Sequence, residues 1–187
     1  MAEVTIGNSP IHQDSILTAV YGQTGSSWPT CGFHTGTDFA RYGYTEQPLL
    51  YSVCDGTVIL KRYENVLGNI VLIQDNTNGL YWRYCHLAEE SPLSVGQQVN
   101  LGTFVGQMGQ TGTGAHGIHL HLECSTSSSW SCGNFVNPST QLGIPNVSGT
   151  IVHYDGSIPP VPPPPPPYIT RKNNWKNLFR KRYTIID

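Results

Sequence analysis

Short apolar runs alternate with clusters of Gly, Asn, Asp and Pro along most of the chain. The runs are LLYSVCDGTVILKRY, NIVLIQD, LYWRYCHL, VGQQVNLGTFVGQMG and GIHLHLEC. They are rich in Val, Ile, Tyr, Trp and Thr, residues that suit a pleated, half-buried surface. No segment of the body shows a long apolar pattern at helical spacing with a cap. The pattern predicts a mainly β domain built on an antiparallel sheet. Turn residues at CDGT (54–57) and DNTNGL (75–80) punctuate the strands, and the second turn predicts that strands 69–74 and 80–86 pair as a hairpin.

Within IHLHL the alternation is regular. Residues two apart on a strand share a face, so His119 and His121 are expected to present their imidazoles to one groove while Ile118, Leu120 and Leu122 face the core.

The pattern changes after the body. From Pro159 the chain reads PPVPPPPPPY, which favours an extended polyproline II spacer. Beyond it, YITRKNNWKNLFRKRYTIID carries Tyr168, Trp175, Leu178, Phe179 and Tyr183 among its basic residues. Trp175, Leu178, Phe179 and Arg182 fall at helical intervals, so this segment reads either as a short docking helix or as a solvated terminus. The expected organisation is a domain over 1–148, a linker over 149–167 and a basic, aromatic tail over 168–187.

Length and charge narrow the picture. A chain of 187 residues allows one ordinary domain with its own core. The net charge of -2 conceals a division, because Arg171, Lys172, Lys176, Arg180, Lys181 and Arg182 supply six of the ten basic residues. In residues 1–167, Arg41, Lys61, Arg62 and Arg83 stand against eleven carboxylates, a balance that argues against a nucleic-acid partner. The N-terminal MAEVTIGNSPIHQD lacks the basic and apolar regions of a secretory signal, and no run approaches the roughly 18 apolar residues of a membrane span. The expectation is a chain with no export address and no membrane partner. Cys31, Cys54, Cys85, Cys124 and Cys132 form no CxxC knuckle and read mostly as small core residues. Cys124 and Cys132 bracket STSSSWS, a loop that a disulfide between them would close in an oxidising environment.

The candidate chemistry lies in His34-Thr-Gly-Thr-Asp38, in His119-Leu-His121 and in His86 between them. A catalytic zinc site keeps three protein ligands and one open position, and one carboxylate with two neutral imidazoles gives a net charge near +1. Such a site can lower the pKa of a water from about 15.7 to about 7, while a free imidazole nearby carries protons. His86 and the non-ligating member of the HxH pair suit that second task. Glu123 shares the face of His121, and in the absence of an HExxH motif it reads as a partner for a ligand imidazole rather than a general base. His12, His116 and His153 stand apart from the pattern. Tyr42, Tyr44, Tyr81, Trp82 and Tyr84 are candidates either for groove walls or for cross-strand pairs within the sheet.

These motifs occur together in a known arrangement. HTGTDFA, YWRYCHL and VGQQVNLGTFVGQMGQTGTGAHGIHLHLE resemble the lysostaphin-type, or LytM-like, zinc metallo-endopeptidases that hydrolyse peptidoglycan, in the same order and at similar spacing. The likeness covers about residues 16–124. It implies an antiparallel β fold with a substrate groove and one zinc ion held by His34, Asp38 and His121. It also implies a catalytic pair, His86 and His119, that handles protons and steadies the developing oxyanion. Three departures stand out: Ile118 replaces the usual Pro before HLH, Leu122 replaces the Phe after it, and AVYGQTGSSWPTCGFH lacks the Arg often found after its Tyr-Gly step. The two apolar replacements bear on packing, whereas the altered loop bears on substrate choice. A wall-degrading domain without a signal peptide, followed by a docking segment, suggests a bacteriophage protein, either carried in the virion tail, the preferred reading, with other virion proteins as partners of residues 168–187, or released at lysis.

Overall fold

The computed structural model describes residues 2–25 and 31–158. The polyproline stretch and the basic tail, including the expected docking helix, lie outside the described residues. The first strands are β1 (Glu3–Ile6), β2 (Ser15–Ala19), β3 (Gly36–Arg41) and β4 (Leu49–Tyr51). They are followed by β5 (Gly56–Glu64), β6 (Gly68–Asp75), β7 (Tyr81–Leu87), β8 (Gln98–Val99) and β9 (Phe104–Gln107). The series closes with β10 (Leu120–Ser125), β11 (Phe135–Val136), a short helix α1 (Pro138–Leu142) and β12 (Ile151–Tyr154).

One large sheet runs β1-β12-β2-β3-β10-β7-β6-β5-β8, with β11 pairing the end of β10, and β4 and β9 form a second, two-stranded sheet. The expected antiparallel architecture holds throughout except at β1 and β12, which pair in parallel. The β6–β7 hairpin forms as the turn residues require: Asp75 N–H donates to Leu80 O at 2.8 Å, and Asp75 Oδ1 accepts from Thr77 N–H at 2.7 Å.

Alternation decides what each strand buries. Phe39, Trp82, Tyr84, Leu120, Leu122 and Cys124 turn one way into the main core, where Leu50 and Val105 of the small sheet meet them. The outer side of the small sheet carries Leu49, Tyr51 and Phe104 as a separate cluster. The opposite face of β3, β10 and β7 is left for Asp38, His121, Glu123 and Arg83, all buried.

Several expectations need correction. Trp82 and Tyr84 belong to the core, not to a groove wall; Tyr84 is fully buried and its Oη accepts from Val53 N–H at 2.9 Å. Ile118 is exposed, because regular pairing starts only at Leu120. The domain does not stop at residue 148: Ile151–Tyr154, expected in the linker, form β12, and Ile151 and Val152 are buried between β1 and β2. Cys132 bonds Cys31, not Cys124, which stays a free thiol inside the core with free Cys54, while Cys85 is also free and buried. Cys124 turns inward with Leu120 and Leu122, so it faces away from the loop that carries Cys132.

Candidate metal centre

The centre lies where β3, β10 and β7 run side by side. His121 of β10 stands in register with Asp38 of β3 on one side and Cys85 of β7 on the other. His34 comes from the turn before β3, pinned by its own N–H to Gln23 O at 2.8 Å. The three residues converge: His34 Nε2 lies 3.0 Å from His121 Nδ1 and 3.2 Å from Asp38 Oδ1, and His121 Nδ1 lies 2.8 Å from Asp38 Oδ1. Gly36 makes this approach feasible, since a Cβ there would meet Leu122 O at 2.5 Å and His121 Cε1 at 2.7 Å.

A carbonyl oxygen can only accept, which fixes which ring nitrogen of His34 carries the proton. His34 Nδ1–H donates to Val20 O at 3.1 Å, leaving Nε2 for the centre. His121 has a carboxylate oxygen at each nitrogen, Asp38 Oδ1 at 2.8 Å from Nδ1 and Glu123 Oε1 at 3.1 Å from Nε2; with a cation in the proton's place at Nδ1, Nε2–H donates to Glu123. Two imidazole nitrogens and one carboxylate oxygen therefore aim at a common point. In a tetrahedral site with bonds of about 2.0–2.1 Å, ligand atoms lie roughly 3.3 Å apart, so the spacing here suits a small divalent cation.

Charge leads to the same conclusion. Burial would raise the Asp38 carboxyl, but the His121 and His34 imidazoles set against it outweigh that and hold the group far below the usual carboxylate range. Burial would lower His121, yet Asp38 and Glu123 on either side raise it to about 10. Two carboxylates flanking His121 thus make the pocket electronegative, which favours a cation among His34, Asp38 and His121. Glu123, which burial raises and His121 and Arg83 lower more, is held down at about 2.

His86 and His119 sit beside the three. The His119 ring centroid lies 4.7 Å from that of His86, which lies 6.0 Å from that of His121. His119 Nε2 is 3.8 Å from Asp38 Oδ2. His86 Nδ1–H donates to Thr111 O at 2.8 Å and His119 Nδ1–H to Gly117 O at 2.9 Å, so both rings turn Nε2 toward the centre. Burial pushes the His86 imidazole down to about 4.

Strict alternation would send His86 to the core with Trp82 and Tyr84. A register shift opposite Asn69 and Val71 inserts an extra residue in β7, and His86 takes a left-handed φ of 61°. It has the only positive φ of any residue other than glycine among the described residues. Backbone strain of this kind is held in place by its surroundings. Here His86 N–H donates to Leu67 O and its ring to Thr111 O, so the strain turns the imidazole onto the site face.

The structure brings all five expected residues together and leaves exposed His116 outside. Sequence reasoning missed four partners. Thr35 and Arg83 hold Glu123, Trp130 covers Arg83, and Cys31 ties the approach to His34 to the loop carrying Trp130. The available signal was an Arg between two core aromatics on one strand and a Glu beside a candidate ligand on another, but using it requires knowing that the strands are neighbours.

A buried pair of imidazole nitrogens and a carboxylate, flanked by two further imidazoles that turn Nε2 toward it, is the constellation of a metal-dependent hydrolase. Residues 32–138 match peptidase family M23, and the chain belongs to that family. It is similar to the peptidoglycan DD-endopeptidase ShyA of Vibrio cholerae, 39% identical over 90 residues that cover 48% of this chain and 20% of that protein. The chain thus spans about a fifth of that relative's length. Its fold is similar to that in a crystal structure of a zinc-containing peptidase from Vibrio cholerae, with TM-score 0.55 and 28% identity over 72% of this chain and 39% of that one. It is also similar to the fold of the catalytic domain of lysostaphin from Staphylococcus simulans, with TM-score 0.59 and 23% identity over 68% of this chain and 91% of that one.

Proposed function

We propose that the chain is a zinc metallo-endopeptidase that hydrolyses peptide bonds in bacterial peptidoglycan, in stem or cross-bridge peptides. The convergence of His34 Nε2, Asp38 Oδ1 and His121 Nδ1, in a chain of the M23 family, carries this reading. The likeness to a peptidoglycan DD-endopeptidase supports a wall peptide as substrate.

In this reading His34, Asp38 and His121 hold one zinc ion, which when bound supplies Lewis acidity to the scissile carbonyl and to water. The remaining work falls to the protein. His86 is neutral at pH 7 because burial lowers its pKa to about 4, and its Nε2 lone pair is available for a proton. Thr111 O and Gly117 O hold the rings of His86 and His119 against rotation. The imidazole that accepts the proton of the attacking water becomes a donor at Nε2. It then faces the oxyanion or the leaving amine, and proton transfer to that amine completes cleavage.

The test uses intact sacculi from several bacteria, with and without chelator and zinc re-addition, and reads new amino termini by mass spectrometry. Metal-dependent termini that vanish in His121→Ala are expected and name the bond. Zinc binding without release from any wall would favour the other reading, a wall-binding or structural component of the same fold.

We further propose that the protein is carried in a bacteriophage tail, with residues 168–187 docking to other virion proteins. The six basic residues and aromatic side chains behind a run of prolines support this placement. Detection in purified particles is expected, and presence in infected-cell lysate alone would refute it.

A further inference from the structure

We propose that Glu123 is the positioning residue for His121, held by Arg83 and Thr35 beneath Trp130, an inference that rests on the zinc-peptidase reading. Glu123 lies two residues beyond His121 on β10 and on the same face, in register with Arg83 of β7 and Gly36 of β3. Its carboxylate is fully engaged. Oε1 accepts from His121 Nε2–H at 3.1 Å and from Thr35 Oγ1–H at 2.6 Å, and Oε2 meets Nε and Nη2 of the Arg83 guanidinium. Glu123 is 1% exposed and Arg83 7%. The Trp130 ring lies over the guanidinium with 4.0 Å from Cζ to its centroid.

Stability alone is a poor reason for such a pair. Desolvation offsets most of the attraction between buried charges, and an apolar pair of similar volume serves a core as well or better. An apolar pair has no acceptor for His121 Nε2–H, however. Without that acceptor the neutral imidazole is free to carry its proton on Nδ1, the nitrogen that faces His34 and Asp38, and the lone pair needed for a metal is lost. Arg83 fixes Oε2 and Thr35 fixes Oε1, so the carboxylate cannot swing away from the ring. Trp130 shields the guanidinium from water, and its loop is tied through Cys132 to Cys31, three residues before His34.

Two paired variants of the full chain separate positioning from packing. Arg83→Met with Glu123→Gln removes both charges but keeps an oxygen for His121 Nε2–H; its zinc affinity, measured against a chromogenic chelator, should stay within a few-fold of wild type. Arg83→Met with Glu123→Leu removes the acceptor as well and should bind zinc about 10- to 100-fold more weakly. Wild-type affinity in the Leu variant would overturn the proposal. A third measurement needs no variant: nitrogen NMR of the zinc-loaded wild-type chain should show His121 protonated at Nε2, with slow exchange of that proton. Protonation at Nδ1 would overturn it equally. Failure of wild type to bind zinc, or unchanged binding in His121→Ala, would instead remove the zinc site itself.

Discussion

A methyl group added at Gly36 would lie against the Leu122 carbonyl and the His121 ring, and neither the backbone nor a ring pinned by Glu123 can yield freely. Gly36→Ala should therefore cost about 1–3 kcal/mol in urea unfolding and weaken zinc binding at least tenfold. Gly133→Ala, where the added atom meets nothing within 4 Å, should change neither and serves as the control. His86→Ala should separate chemistry from binding: zinc stoichiometry stays at wild type while kcat/KM on a wall peptide falls about 10²- to 10⁴-fold. At this scale His34, Asp38, His119 and His121 were legible because their motifs are local and the HxH alternation is simple. The side on which His86 lies was not, since it depends on a bulge and a left-handed backbone that an apolar run such as YWRYCHL does not announce. The Arg83–Glu123 pair was hidden for another reason: its members lie 40 residues apart.

Among the elements, the β6–β7 hairpin was foreseen because a cluster of Asx and Gly residues sits between two apolar runs. The strand neighbours of β10 were not, since Asp38 and Cys85, which flank His121, are far from it in sequence and no local rule selects them. β12 was missed because four residues after a Gly-containing turn carry little periodic signal. His12 shows what that strand contributes. Its ring stacks between Tyr51 of the small sheet at 3.9 Å and Tyr154 of β12 at 4.0 Å, and its Nδ1 is buried without a hydrogen-bond partner. Burial lowers its pKa from 6.5 to about 4. Between those values the unfolded chain binds a proton that the folded chain refuses, so stability is greatest above pH 6.5 and declines as the pH falls toward about 4. Urea midpoints measured across that window should fall for wild type and fall less steeply for His12→Phe, which keeps both stacks without an ionisable group.

For the molecule as a whole, the Cys31–Cys132 bond spans 101 residues and encloses every residue of the candidate centre. Closing so long a loop restricts the unfolded chain, and replacing both cysteines by serine should lower stability by about 2–4 kcal/mol in urea unfolding without reductant. Its pairing was not legible, because five cysteines at wide spacing admit many partners and only the folded sheet shows which side chains face which way. Removing residues 159–187 should leave hydrolysis of purified wall unchanged, since the described sheet is complete by Tyr154; loss of activity in that truncation would assign the tail a part in the chemistry.

The centre also divides the chain in time. His34, Asp38 and His86 lie in the first half of the sequence, whereas His119 and His121 come more than thirty residues after His86 and enter the sheet only when β10 inserts between β3 and β7. A polypeptide emerging from the ribosome, or one cut short before β10, carries part of the donor set and no means of closing it. The candidate centre is thereby completed only when nearly all of the sheet that carries it has been synthesised.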